Sequence, residues 1–154
     1  MNKTELFRKT LLEIEEKSDR LNLSTLRREI CKNLKRGIPH FDWVGFYLSD
    51  GNQHLTLAEY EGEDTIHTKI RFGEGICGQA ALTEKTFIVQ DVTKESNYLS
   101  CSYKVKSEIV VPIIKNGKLI GEIDIDSHTI NAFDKSDKEF LERIAFIVAE
   151  KSEI

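Results

Sequence analysis

Residues 107–127 constrain the fold more than any other stretch of this chain. Ser-Glu-Ile-Val-Val-Pro-Ile-Ile-Lys runs into Asn116-Gly117 and out again as Lys-Leu-Ile-Gly-Glu-Ile-Asp-Ile-Asp-Ser. Two apolar, β-branched runs, 109–114 and 119–125, flank a dipeptide suited to a two-residue turn, and together they predict a β-hairpin. Side chains alternate along a strand, so Glu122, Asp124 and Asp126 share one face while Ile123 and Ile125 share the other. Such an acidic face is ordinarily the solvated side of an edge strand. The apolar content of the hairpin argues instead for a central position. There the acids must be paired, hydrogen-bonded or protonated, because buried like charges repel. A cation is therefore expected to meet them.

The chain has 154 residues, enough for one domain with a core that needs neither disulfide nor metal. Its formal net charge of −4 and isoelectric point near 5.6 argue against a nucleic-acid footprint. The N-terminal residues lack the apolar core of a signal peptide and no run is long enough to span a bilayer, so a cytoplasmic protein with no membrane partner is expected. In that compartment the three cysteines should rest as free thiols, and any disulfide should be transient and catalytic.

Leu6, Phe7, Leu11 and Ile14 recur with a helical period over 3–17. Leu23, Leu26, Ile30 and Leu34 do the same in a second helix ending near Gly37-Ile38-Pro39. Cys31, at the edge of that stripe, reads as a packing residue. A strand over 41–49 puts Trp43, Gly45 and Tyr47 on one face and Val44, Phe46 and Leu48 on the other, with Gly45 leaving a slot for a small ligand between two aromatics. The strand over 54–60 pairs back on it. The glycine-rich stretch 70–81 leads into a short helix, where Cys77 falls in the first turn and the helix dipole would favour its thiolate. It is not a phosphate loop, because the Gly-Lys-Ser/Thr ending is missing. Residues 87–89 form a strand. The polar loop 91–106 carries Cys101 beside Lys104 and Lys106, a setting that suits a reactive thiol better than a packing one. A final helix over 135–152 is marked by Ser136-Asp137-Lys138-Glu139, read as its capping box, and by Phe140, Leu141, Ile144, Ile147 and Val148. The sum is an α+β domain with an antiparallel sheet and N- and C-terminal helices packed on one face.

Three of these motifs, Gly75-Ile76-Cys77-Gly78-Gln79-Ala80-Ala81, Ser107-Glu108-Ile109-Val110-Val111-Pro112 and Asp124-Ile125-Asp126-Ser127, with Trp43-Val44-Gly45-Phe46-Tyr47, resemble the GAF-domain free methionine-R-sulfoxide reductases. The resemblance runs from about residue 43 to 127. It implies a single GAF domain over 1–154, with N-terminal helices over about 3–37, a core over about 41–128 and the C-terminal helix. It also implies reduction of free methionine-(R)-sulfoxide. In that likeness Cys101 matches the nucleophile, and Cys77 a second redox cysteine that closes a disulfide on it. Glu108, Asp124 and Asp126 match acids that hold the substrate ammonium and assist at the sulfoxide oxygen. Trp43 and Tyr47 match aromatics that pack on the methyl-sulfur end. Two departures stand out. A third redox cysteine found in many members is His67 here, and the family's usual Gly-His-Ile-Ala before the nucleophile is only loosely matched by Tyr98-Leu99-Ser100.

The implied chemistry is consistent. A thiolate attacks sulfur while the oxygen is protonated, leaving a sulfenic acid that a second thiol condenses to a disulfide, and a thioredoxin-type dithiol restores both thiols. Glu108, kept protonated by its like-charged neighbours, is the expected proton donor. No cofactor is expected. A metal held by Cys77, Cys101, His67 and the acids is the weakest reading, as no C-x-x-C or H-x-x-x-H spacing supports it. The rival class is a non-catalytic GAF sensor that binds a small ligand. A free-standing chain without an output domain favours the enzyme. The oligomeric state stays open between monomer and homodimer.

Overall fold

The computed structural model describes residues 1–99 and 102–153. Two helices, α1 (Lys3–Arg20) and α2 (Leu23–Gly37), precede the strands β1 (Trp43–Ser49), β2 (His54–Glu61) and β3 (Lys69–Arg71). A short helix α3 (Gly75–Thr83), strand β4 (Phe87–Val89) and a 3₁₀ turn at Val92–Lys94 follow. The hairpin β5 (Ser107–Lys115) and β6 (Lys118–Ser127) then leads to helix α4 (Lys135–Lys151). The six strands form one antiparallel sheet in the order β3-β2-β1-β6-β5-β4.

The hairpin is where the sequence places it. Asn116 and Gly117 both take positive φ, 53° and 74°, as a tight turn matched to strand twist requires. β6 lies centrally, paired with β1 on one side and β5 on the other. The register brings Asp126 opposite Trp43 and Glu108, Asp124 opposite Gly45 and Val110, and Glu122 opposite Tyr47 and Pro112. Pro112 falls beyond the reach of β4, which pairs only with Glu108 to Val110, so its missing N–H does not interrupt the ladder on that flank.

Each face of the sheet carries its own core. Val44, Phe46, Ile109, Val111, Ile113, Ile123 and Ile125 pack under α1, α2 and α4 through Ile14, Leu26, Ile30, Leu34, Leu141 and Ile144. Fully burying one such aliphatic side chain contributes about 1.5–3 kcal/mol, so this layer anchors the fold. The opposite face carries Trp43, Tyr47, Val110, Ile76, Cys77 and Ala80, with α3 lying across β5 and β6. Cys31 belongs to the helical layer, its sulfur 3.6 Å from the Glu59 carbonyl oxygen.

Two expectations are corrected and one strand is added. The last helix is capped two residues earlier than read: Asp134 is the N-cap, accepting from the backbone N–H of Ser136 and Asp137, and Asp137 rather than Glu139 closes the box. Residues 69–71 form a strand, which a three-residue stretch cannot signal on its own. The slot at Gly45 is filled by the Trp43 ring: a Cβ there would lie 2.3 Å from the ring's Cη2. That ring is fixed from two other sides, stacked on Tyr60 at 5.6 Å between centroids and donating from Nε1 to the Glu63 carbonyl at 2.8 Å. Gly45→Ala is therefore expected to displace the indole and to lower stability by about 1–3 kcal/mol, the usual cost of overpacking, read as a lower Tm.

Candidate functional site

On the α3 side of the sheet one pocket is lined by Trp43, Tyr47, Thr65, His67, Ile70, Ile76, Cys77, Tyr98, Leu99, Glu108, Asp124 and Asp126. Its floor is the sheet. β1 supplies Trp43 and Tyr47, β5 supplies Glu108, and β6 supplies Asp124 and Asp126, all on one face because alternate residues of paired strands share a face. The three acids are almost wholly buried, at 6%, 5% and 3% exposure.

The aromatic walls present carbon to the pocket because their polar ends are engaged elsewhere. Trp43 donates to the Glu63 carbonyl and the Tyr47 hydroxyl donates to the His67 carbonyl at 2.8 Å. Both bonds also hold the β2–β3 connection against the rim. On the opposite rim Asn97 accepts from the Gly75 N–H at 3.1 Å and donates to the Gly73 carbonyl at 2.9 Å, tying the segment before Tyr98 and Leu99 to the start of α3. Cys101, the expected nucleophile, lies outside the described residues.

The family model for the GAF domain matches residues 21–150. The free methionine-R-sulfoxide reductase of Saccharomyces cerevisiae is 40% identical over 156 aligned residues, covering 96% of this chain and 86% of that one. This chain belongs to the GAF-domain free methionine-R-sulfoxide reductase family. A Neisseria meningitidis free methionine-R-sulfoxide reductase, solved in complex with its substrate, superposes with a TM-score of 0.93 at 34% identity, covering 98% of this chain and 90% of the other. A type II free methionine-R-sulfoxide reductase from Thermoplasma acidophilum gives 0.78 at 39% identity, covering 84% and 94%.

Within this member of the family, burial controls the ionisation of the site. Desolvation pushes the Cys77 thiol well above its ordinary range, and the charges of Asp124, Glu122 and Glu108 push the same way. This corrects the expectation of a thiolate at a helix start: Cys77 does sit in the first turn of α3, but it is 5% exposed among acids, and those effects outweigh the dipole. Burial likewise raises Asp124, against hydrogen bonds from Glu108 and Cys77 that favour its charged form. Glu122 is raised by burial and by Asp124.

Sγ of Cys77 and one carboxylate oxygen each of Glu108 and Asp124 lie within 4.8 Å of one another. Groups so spaced could share a small cation. Being a thiol and two acids in a desolvated site, they suit shared protons as well. No described basic side chain forms an ion pair with Asp124 or Glu122 within the described residues, so the cation anticipated from the sequence is not a protein side chain for these two acids. Among the described residues no helix is long and apolar enough to cross a membrane.

The sequence reading identified the floor and both aromatic walls. It missed Thr65, Ile70, Ile76 and Asn97, which come from connections whose path only tertiary contacts fix. It noted His67 as a departure from the family pattern and as a possible metal ligand, and Tyr98 and Leu99 only as positions that differ from that pattern. Glu122 shared the acidic face in the sequence, yet the pocket lining stops at Asp124.

Proposed function

We propose that this chain reduces free methionine-(R)-sulfoxide to methionine. The observation that carries this reading is the pocket itself: two carbon walls and three buried acids converge beside a thiol, in a member of this family. The substrate is an ammonium-bearing amino acid with a polar S–O group and a methyl end. Asp124 and Asp126 pair with the ammonium, the cation that a buried carboxylate face needs. Trp43 and Tyr47 hold the methyl-sulfur end.

The Cys101 thiolate attacks sulfur while protonated Glu108 delivers its proton to the oxygen, so the S–O bond of the substrate breaks, methionine leaves and Cys101 becomes a sulfenic acid. Cys77 then condenses with that acid: an S–S bond forms and water departs. A thioredoxin-type dithiol, in the cytoplasm, exchanges with the disulfide and restores both thiols. With His67 where a third cysteine would stand, the Cys77–Cys101 pair works alone. Cys31 takes no part, since it lies in the helical layer on the other side of the sheet.

The test couples free methionine-R-sulfoxide to NADPH oxidation through thioredoxin and its reductase, with the S epimer as control. Turnover of the R epimer alone is the expected result. Peptide mapping after reaction without reductant should find Cys77 linked to Cys101 and Cys31 free. Failure to reduce either epimer, together with tight binding of an amino acid, would instead make the domain a sensor.

A further inference from the structure

Asn97 makes two long-range bonds that the reaction above does not use. Its side-chain oxygen accepts from the Gly75 N–H at 3.1 Å, and its amide nitrogen donates to the Gly73 carbonyl at 2.9 Å. Those partners lie 22 and 24 residues back along the chain, at the entry to α3. Glu74, the N-cap of α3, makes no side-chain capping bond, so Asn97 satisfies a helix-start N–H from outside the helix. Leu99 presses on the same entry. A Cβ at Gly75 would lie 2.8 Å from the Leu99 Cγ, and Gly75 takes a φ of +61°. An asparagine that served only its own turn would bond to backbone two or three residues away. Both of these bonds go instead to the stretch that runs, two residues after Gly75, into Cys77. Four residues after Asn97 stands Cys101. The family's Gly-His-Ile-Ala would put a glycine at position 97, and a glycine has no side chain to make either bond.

We propose that Asn97 is a positioning residue for disulfide closure: by bridging the segment that leads to Cys101 and the start of α3, it confines oxidised Cys101 to the neighbourhood of Cys77. The proposal rests on the reading of these two cysteines as the redox pair. A disulfide needs Cα atoms within roughly 7 Å of each other. Four residues of extended chain reach about 14 Å at most. With Asn97 tied to Gly75, Cys101 searches a short span, and the loop that closes through the clamp has about seven residues. Without the tie the closing loop takes in up to about two dozen residues of intervening chain, at a greater cost in entropy. The step served balances within the chain. The Cys77 sulfur bonds to the Cys101 sulfur, the S–O bond of the sulfenic acid breaks, and the hydroxyl leaves with the thiol proton as water. No outside oxidant is needed. The clamp acts on this step more than on the first, because Trp43 and Tyr47, which take the methyl-sulfur end of the substrate, are tied to the other rim through the Glu63 and His67 carbonyls.

Single-turnover mixing with methionine-R-sulfoxide in the absence of reductant separates the two steps. Methionine reports the first, dimedone labelling of Cys101 reports the lifetime of the sulfenic acid, and non-reducing peptide mapping reports closure. Asn97→Ala should leave the methionine burst unchanged. It should slow closure by about three- to sixfold, the range set when the closing loop lengthens from about seven residues to between about fifteen and two dozen. Asn97→Asp keeps an acceptor for the Gly75 N–H and loses the donor, so its closure rate should fall between the two. Closure at the native rate in Asn97→Ala overturns the proposal. So does a burst that slows in step with closure, the outcome of a purely structural role. If Asn97→Ala does not fold, Asn97→Asp against the native protein makes the same comparison. A pulse of hydrogen peroxide, which converts the Cys101 thiolate to the sulfenic acid without substrate, repeats the closure measurement independently. Closure after peroxide with no methionine burst from the native protein would count against the reductase reading, and the closure rates would still decide Asn97. Failure of the native protein to form the Cys77–Cys101 disulfide by either route overturns the proposal together with the pairing of these cysteines.

Discussion

Cys101→Ser is expected to abolish methionine formation, lowering turnover by at least about a thousandfold, the scale on which loss of a covalent nucleophile removes catalysis. Serine is nearly isosteric but is not appreciably ionised at neutral pH, and an alkoxide on oxygen has no route to the sulfenic acid and disulfide that carry the electrons onward. Cys77 cannot take over, because burial and three acids hold it as a thiol. Cys31 cannot either, because burial and the charges of Glu59 and Glu61 press its thiol up as well, and it faces the helices. The measurement is single-turnover formation of methionine from the R epimer. A full burst in Cys101→Ser would remove the assignment.

Asp124→Asn and Asp126→Asn should each raise KM for methionine sulfoxide while leaving the thiol chemistry in place. Loss of a hydrogen-bonded charge partner in a desolvated site costs on the order of 2–5 kcal/mol, about 30-fold to several thousandfold in affinity. Acetylating the substrate's amino group should cost a similar amount, and the two losses should not add, since each removes the same contact. Equal reactivity of acetylated and free substrate would show that the acid face is no ammonium site.

The sign of the pH dependence follows from the same burial. Asp124 is raised above its ordinary value, so it holds a proton in the free protein over a window that begins near 3.8 and extends upward. It must lose that proton to pair with the ammonium, so affinity should weaken as pH falls through this window. Stability runs the other way. A group that binds its proton more tightly when folded stabilises the fold most at low pH, and that contribution fades as pH rises through the folded-state value.

The local chemistry of the chain determined most of the frame. An Asn-Gly turn between β-branched runs specifies a hairpin from neighbouring residues alone. Period-two alternation then assigns Ile123 and Ile125 to one face and the acids to the other, and amphipathic stripes fix the three long helices. Even the central position of β6 was legible, since an apolar hairpin carrying buried acids has no stable place at an edge. The resemblance of Trp43, Tyr47, Cys77, Glu108, Asp124 and Asp126 to a family pattern is read from their order along the chain, and the fold gathers these six around one pocket.

Other features depend on atoms that are distant in sequence. The Trp43 indole occupies the space over Gly45 because Tyr60 and the Glu63 carbonyl hold it there, and nothing in residues 43–47 announces either partner. The helix-start position of Cys77 favoured a thiolate until α3 was laid over β6, where desolvation and carboxylates reverse the sign. Asp134 outcompeted Ser136 as the cap because helix α4 begins one residue before that serine. Glu122 and Asp124 are two positions apart on the same strand face, and sequence treats them alike. In the fold Glu122 is wholly buried outside the pocket lining while Asp124 lines the pocket, a packing outcome with no local signal.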